Sequence, residues 1–121
     1  MNNHDFLHQL PALTKELPFA ITVCDTHGII LYMNERSILT FAKYGGEALI
    51  GSSLFGCHPE PAATKLREML EKGSSNVYTI EKNGTRKMIY QSPWFTNRIY
   101  EGFIELSLEL PAGVPHFVRS T

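Results

Sequence analysis

The sequence is short of cysteine, tryptophan and net charge. Two cysteines, Cys24 and Cys57, and one tryptophan, Trp94, stand among 121 residues. Two thiols cannot build the bridge framework that staples small secreted domains. No spacing in the chain completes a four-ligand zinc set, so no metal site is expected. The formal net charge is -1, and no segment gathers Lys and Arg into a stripe. A phosphate backbone would need such a stripe, so no nucleic-acid partner is expected. Unbroken apolar runs are only a few residues long, too short to span a bilayer. The start, MNNHDFLHQL, lacks the basic n-region and long apolar core of a signal peptide. No membrane partner and a cytoplasmic location are therefore expected. No serine sits in a G-x-S-x-G frame, and no carboxylate pair falls at a catalytic helical spacing. The expectation is a protein that is not an enzyme.

What is present is periodicity. From Asn3 to Leu17 the apolar residues Phe6, Leu7, Leu10, Leu13 and Leu17 recur at spacings of three and four, which places them on one helical stripe. Pro11 interrupts that stripe and predicts a kink or two short pieces. Two apolar runs, Phe19–Cys24 and Ile29–Met33, flank Asp25-Thr-His-Gly28 and read as a β-hairpin. Asn34 is a good N-cap for a helix over Glu35–Ala42, with Ile38, Leu39 and Phe41 as its buried side. Gly45-Gly46 stops that helix, and Glu47–Ile50 reads as one further turn. A second helix begins near Glu60, carries Ala62, Ala63, Leu66, Met69 and Leu70, and ends at Gly73.

The last third reads as strands. Val77–Lys82 and Arg86–Phe95 flank Asn83-Gly84, a strong two-residue hairpin signal. Thr96-Asn97-Arg98 turns the chain into a long strand, Ile99–Leu110. In that strand Ile104, Leu106, Leu108 and Leu110 share one face, and Glu105, Ser107 and Glu109 the other. The fold class is α+β, a five-stranded antiparallel sheet with short helices on one face. Three segments follow: an amphipathic helical stretch over 1–18, a domain over 19–110 and an irregular tail over 111–121.

The order of these signals resembles the PAS family of sensory domains over roughly residues 17 to 110. FAITVCDTHGIILYMNE is similar to the family's opening strand, Asp/Gly turn, second strand and Asn-started helix. YGGEALIGSSL, residues 44 to 54, is similar to its Tyr/Glu/Leu-Ile-Gly stretch. KNGTRK and GFIELSLE fit its closing strands. GCHPEP at 56–61 resembles a Cys-His-Pro-Pro run found in a bacterial subset, with Glu60 in place of its second proline. The resemblance implies a sheet of order 2-1-5-4-3. It implies a pocket that takes haem, flavin or a small metabolite, or is filled by side chains. It also implies dimerisation through an N-terminal helix, and control of a kinase, cyclase or transcription regulator.

Candidate sites follow. Met33, Phe41, His58, Met69, Tyr78, Met88, Tyr90 and Ser92 are the expected lining of a small-molecule pocket, an aromatic and methionine-rich set with a few polar groups. Phe6, Leu7, Leu10, Leu13 and Leu17 are the expected interface of a homodimer. No catalytic residue is assigned. No cofactor is assigned either: haem needs one axial ligand, which only His58 is placed to give, and the covalent flavin photosensors resemble Asn-Cys-Arg-Phe-Leu, which Gly-Cys-His-Pro does not match. Cys57 beside His58 and a helix start could have a lowered pKa, against the plainer reading of a small buried hydrophobe. The favoured function is a signal-sensing module that binds a small molecule or protein partner. The alternatives are a structural dimerisation module with a filled core, a haem sensor using His58, and a small enzyme of the cone-shaped α+β barrel type.

Overall fold

The computed structural model describes residues 10–57 and 60–121. Phe6, Leu7 and His58 lie outside the described residues. The elements are α1 (Leu10–Lys15), β1 (Ala20–Asp25), β2 (Ile30–Met33), α2 (Glu35–Thr40), α3 (Ala62–Lys72), β3 (Asn76–Lys82), β4 (Thr85–Thr96) and β5 (Ile99–Leu110). Three 3-10 turns, Ala42–Tyr44, Gly46–Leu49 and Leu54–Cys57, connect α2 to α3. The five strands form one antiparallel sheet of order β2-β1-β5-β4-β3. Both the sheet and its order agree with the sequence reading.

Local chemistry explains the turns. Asp25 Oδ1 accepts from the backbone N–H of His27 at 2.9 Å and of Ile29 at 3.0 Å, and Gly28 supplies the positive φ of 79°. This is the Asx geometry that closes a hairpin. Asn34 caps α2, its Oδ1 accepting from Ser37 N. Helix α3 starts at Ala62, with Pro61 at its N-cap position and no cap hydrogen bond from that side chain. Glu60 does the capping instead: its Oε2 accepts from the N–H and hydroxyl of Thr64 at 3.3 and 2.5 Å. Gly73 ends α3 in the left-handed region, its N–H bonded to Met69 O.

Pro11 lies within α1, and the part of the stripe that precedes Leu10 lies outside the described residues. One sequence expectation is corrected here. Leu39 is not on the buried side of α2. It is 66% exposed, and the side chain of Ser37 is the one buried there.

Residues paired across an antiparallel sheet share a face. One face, covered by α2 and α3, carries Ala20, Thr22, Cys24, Ile89, Gln91, Phe103, Glu105 and Ser107. Its apolar end is the core: Leu66, Met69 and Leu70 of α3 pack on Cys24 and Phe103, with Leu54, Phe55 and Tyr100 at the margin. Burying a side chain of this size contributes about 1.5–3 kcal/mol, so this contact holds α3 to the sheet. The opposite face carries Ile21, Val23, Tyr90, Ile104, Leu106 and Leu108. Helix α1 lies beside it, tied by Thr14 Oγ1 to Tyr32 Oη at 2.7 Å.

A bulge separates Trp94 from Phe95, leaving Trp94 opposite Gly102 and Phe95 opposite Tyr100. Gly102 sits at φ 150°, and a Cβ there would lie 1.9 Å from Cys24 O. Trp94 Nε1 donates to that same carbonyl at 3.1 Å. Glycine is therefore required at this close backbone approach.

Candidate functional site

The helix-covered face has an apolar end and a polar row. The row is a single line of cross-strand partners: Asn76 on β3, Gln91 on β4, Glu105 on β5, Thr22 on β1 and Met33 on β2. Asn76 Nδ2 donates to Gln91 Oε1 at 3.0 Å, and Gln91 Nε2 donates to Glu105 Oε1 at 2.8 Å. Each bond fixes the next amide's orientation, so Glu105 sets the polarity of the chain. Further along, the Thr22 and Ser37 hydroxyls bond at 2.5 Å. Ser37 N donates to Asn34 Oδ1, and Asn34 Nδ2 donates to Thr14 O at 3.1 Å.

Two hollows open on this face. The first, of about 280 Å³, is lined by Lys65, Leu66 and Met69 of α3 and by Asn76, Tyr78 and Gln91 of the sheet. The second, of about 220 Å³, lies between the end of α2 and β3–β5, lined by Thr40, Phe41, Tyr78, Ile80, Lys87, Ile89, Glu105 and Ser107 with Ala20. Tyr78 belongs to both, so it forms their shared wall. Burial raises the Tyr78 phenol above its ordinary 10.0, and the nearby Glu105 charge raises it further. The phenol thus stays neutral at physiological pH, able to donate or accept. Cys24, at the apolar end, is also raised, by burial first and by Asp25 and Glu105 after it, against a lowering bond from the Phe103 backbone. It is a neutral thiol in the core.

Of the expected pocket residues, Phe41, Met69 and Tyr78 line the hollows, and Met33 is buried on the same face. Met88, Tyr90 and Ser92 are not brought together with them. Tyr78 pairs with Ile89 and Tyr90 with Val77, so the pleat turns Met88, Tyr90 and Ser92 to the opposite face. The haem reading rests on His58, outside the described residues. Among the described residues no group of three or more His, Cys, Asp or Glu is placed to hold a metal ion.

The sequence reading missed Asn76, Gln91 and Glu105. It took Glu105 as one polar residue of an alternating strand; its significance comes from the partners that register places beside it.

On the opposite face an almost wholly apolar cleft of about 350 Å³ runs between α1 and the sheet, lined by Pro11, Thr14, Ile21, Val23, Tyr32 and Ile104. Leu13 on α1 is 52% exposed.

The PAS fold model matches residues 14–84. This chain belongs to the PAS family. No curated protein sequence matches it. Solved PAS structures share its shape at low identity. The PAS domain of an HTR-like protein from Haloarcula marismortui is 16% identical with a TM-score of 0.64, covering 88% of this chain and 93% of that one. The PAS domain of Bordetella pertussis BvgS is 19% identical with a TM-score of 0.62, covering 88% of each. VqmA bound to DPO is 18% identical with a TM-score of 0.62, covering 88% of this chain and 58% of VqmA; VqmA of Vibrio cholerae has also been solved as a dimer. Among the described residues of this PAS domain, no helix is long and apolar enough to cross a membrane.

Proposed function

We propose that this PAS domain is a non-catalytic sensor that binds a small molecule on the helix-covered face and works as a homodimer. The observation that carries the reading is the pair of hollows flanking Tyr78, over a sheet whose floor holds a hydrogen-bonded polar row. Apolar walls with a few oriented polar groups are the composition of small-molecule sites. That VqmA, a structural relative, was solved with DPO bound supports it.

Occupancy would reach the outside through the same row. Glu105 is the cross-strand neighbour of Thr22, and Thr22, Ser37 and Asn34 lead by hydrogen bonds to Thr14 on α1. A ligand that favours one placement of α1 over another shifts the population of the two. Exposed Leu13 on α1 and the apolar cleft beside that helix suit a second copy, and a kinase or transcription regulator suits the receiving partner.

The test is a ¹⁵N–¹H spectrum of the purified protein with and without a metabolite extract of the source cells. Shifts at Leu66, Tyr78, Gln91 and Glu105 are expected. An absorbance spectrum of the same sample reads haem or flavin directly. If no resonance of the hollows moves, ligand sensing fails and the filled-core dimerisation module takes its place. That second reading draws on the packing of Leu66, Met69 and Leu70 against Cys24 and Phe103.

A further inference from the structure

The sheet order leaves two edge strands, β2 and β3. Edge β2 is covered. Ile30 N donates to Ser52 O at 2.9 Å, Gly51 N to Ile30 O at 2.8 Å and Leu54 N to Gly28 O at 2.8 Å, and Ile29 bridges Ser53. Edge β3 has no such cover: among the described residues only β4 hydrogen-bonds to its backbone. Proteins usually blunt an edge with proline, a bulge or charges along it. Strand β3 has no proline and pairs with β4 over seven residues without a register shift. Its two charges, Glu81 and Lys82, stand together at the turn end.

The Asn83-Gly84 turn fixes which backbone groups point outward. Both residues have positive φ, 53° and 78°, as in the two-residue type I′ turn. The narrow pair Lys82–Thr85 closes such a turn, so Lys82, Ile80, Tyr78 and Asn76 direct their N–H and C=O groups to β4. Val77, Thr79 and Glu81 direct theirs away from the sheet. Apolar side chains stand on the same edge: Val77 is 48%, Tyr78 43% and Ile80 41% exposed.

Two such edges pair antiparallel about a two-fold axis only where outward residues meet outward residues, which puts the axis on a residue. An axis on Thr79, the middle of β3, pairs all seven residues of both strands. Thr79 then faces Thr79 and Val77 faces Glu81, narrow pairs that exchange two backbone hydrogen bonds each. Tyr78 faces Ile80, an aromatic and β-branched pair that the symmetry makes twice. Asn76 faces Lys82. Neither charge meets its like.

We infer that β3 is a self-association edge, at which two copies join antiparallel about Thr79 into one continuous sheet. This rests on the homodimer reading above and gives it a second surface. The α1 cleft is lined from β1, β2 and β5, with β4 between it and this edge, so the two contacts do not compete. Tyr78 and Ile80 also line the hollows, so the edge contact borders the proposed ligand site.

The test is amide hydrogen exchange of the purified protein from about 10 µM to about 1 mM, with mass read by light scattering alongside. The amides of Tyr78, Ile80 and Lys82 face β4 and should be protected throughout. Those of Val77, Thr79 and Glu81 should gain at least about tenfold protection as mass rises. Because Thr79 faces itself, Thr79→Lys or Thr79→Glu alone sets like charges opposite and should weaken association at least about tenfold. An equimolar mixture of the two variants should restore it. Thr79 is exposed, and the exchange pattern of the wild-type protein decides the matter even where a variant does not fold. A monomer at every concentration overturns both the homodimer and the edge contact. Association that leaves Val77, Thr79 and Glu81 unprotected overturns the edge contact alone, leaving the homodimer to another surface and β3 to a different polypeptide. Protection at monomer mass assigns the edge to another segment of the same chain and overturns the pairing. A mixture that associates no better than its separate variants overturns the register about Thr79.

Discussion

Asn34 and Thr14 are joined by a hydrogen bond of 3.1 Å from the side-chain amide of the first to the backbone carbonyl of the second. Asn34 is 1% exposed, and the same amide group also donates to Phe19 O at 2.9 Å. Its Oδ1 accepts from Ile21 N at 2.9 Å and Ser37 N at 3.1 Å. One buried side chain thus satisfies two donors, on β1 and α2, and two acceptors, on α1 and at Phe19 just before β1. Asn34→Ala leaves those groups without a partner and is expected to cost about 2–4 kcal/mol. Asn34→Asp keeps the acceptor for Ile21 and Ser37 and loses both donors, so it should loosen the Thr14 and Phe19 side of the network first. Hydrogen exchange at residues 14–17, alongside a urea melt, separates the two outcomes.

Gly102→Ala is expected to be among the most damaging single changes available. The new methyl meets Cys24 O in the backbone of β1, and the residue would hold a φ that L side chains rarely adopt. A loss of at least about 3 kcal/mol is expected, read as a shift of the urea midpoint at unchanged slope. A variant within about 0.5 kcal/mol of the wild type would show that β1 and β5 are not held this closely.

Alkaline pH should weaken the fold. Cys24 is raised above its ordinary 9.0, and Tyr78 and Tyr100 above 10.0, in each case mainly by burial. Below the unfolded value all three groups are protonated in both states and stability does not depend on them. Above it the unfolded chain gives up its protons first, so stability falls as pH rises through the raised folded values. Urea midpoints followed from about pH 7 to about pH 10 are expected to stay flat and then decline. Cys24→Ala should lessen the decline. In a Cys57→Ser background the Cys24 thiol should resist alkylation until urea is added.

The α1 stripe gives a prediction of its own. Leu13→Glu puts a charge on a side chain already half exposed, so the isolated fold should lose less than about 0.5 kcal/mol. A homodimer built on this stripe should dissociate. Light scattering at high concentration reads this directly. A wild-type protein that stays monomeric sinks the dimer, and a dimer unmoved by Leu13→Glu shifts the interface elsewhere.

Much of this was legible in the sequence, and the illegible part has a specific cause. Counting outward from Asn83-Gly84 pairs Asn76 with Gln91, and the structure has that pair. The same count sets Tyr78 against Ile89, which already sends Tyr90 to the other face; grouping Tyr78 with Met88, Tyr90 and Ser92 overlooked it. The next hairpin cannot be counted in this way. The bulge between Trp94 and Phe95 shifts the β4–β5 register by one residue, and a slip of one turns a whole strand over. Without that shift Gln91 would not face Glu105. The bulge sits beside the close approach of Gly102 to Cys24, a contact between distant parts of the chain. Polarity misled as well. Ile104, Leu106 and Leu108 form the more apolar side of β5, yet the helices cover the side with Glu105 and Ser107.

Tyr78 stands between the two hollows, and Glu105 touches one of them. If the proposed ligand sits here, the room it finds and the charge it meets rest on different side chains on different strands. Trimming the tyrosine would join the two hollows without disturbing the carboxylate, and neutralising the carboxylate would change the charge of the wall without changing the volume.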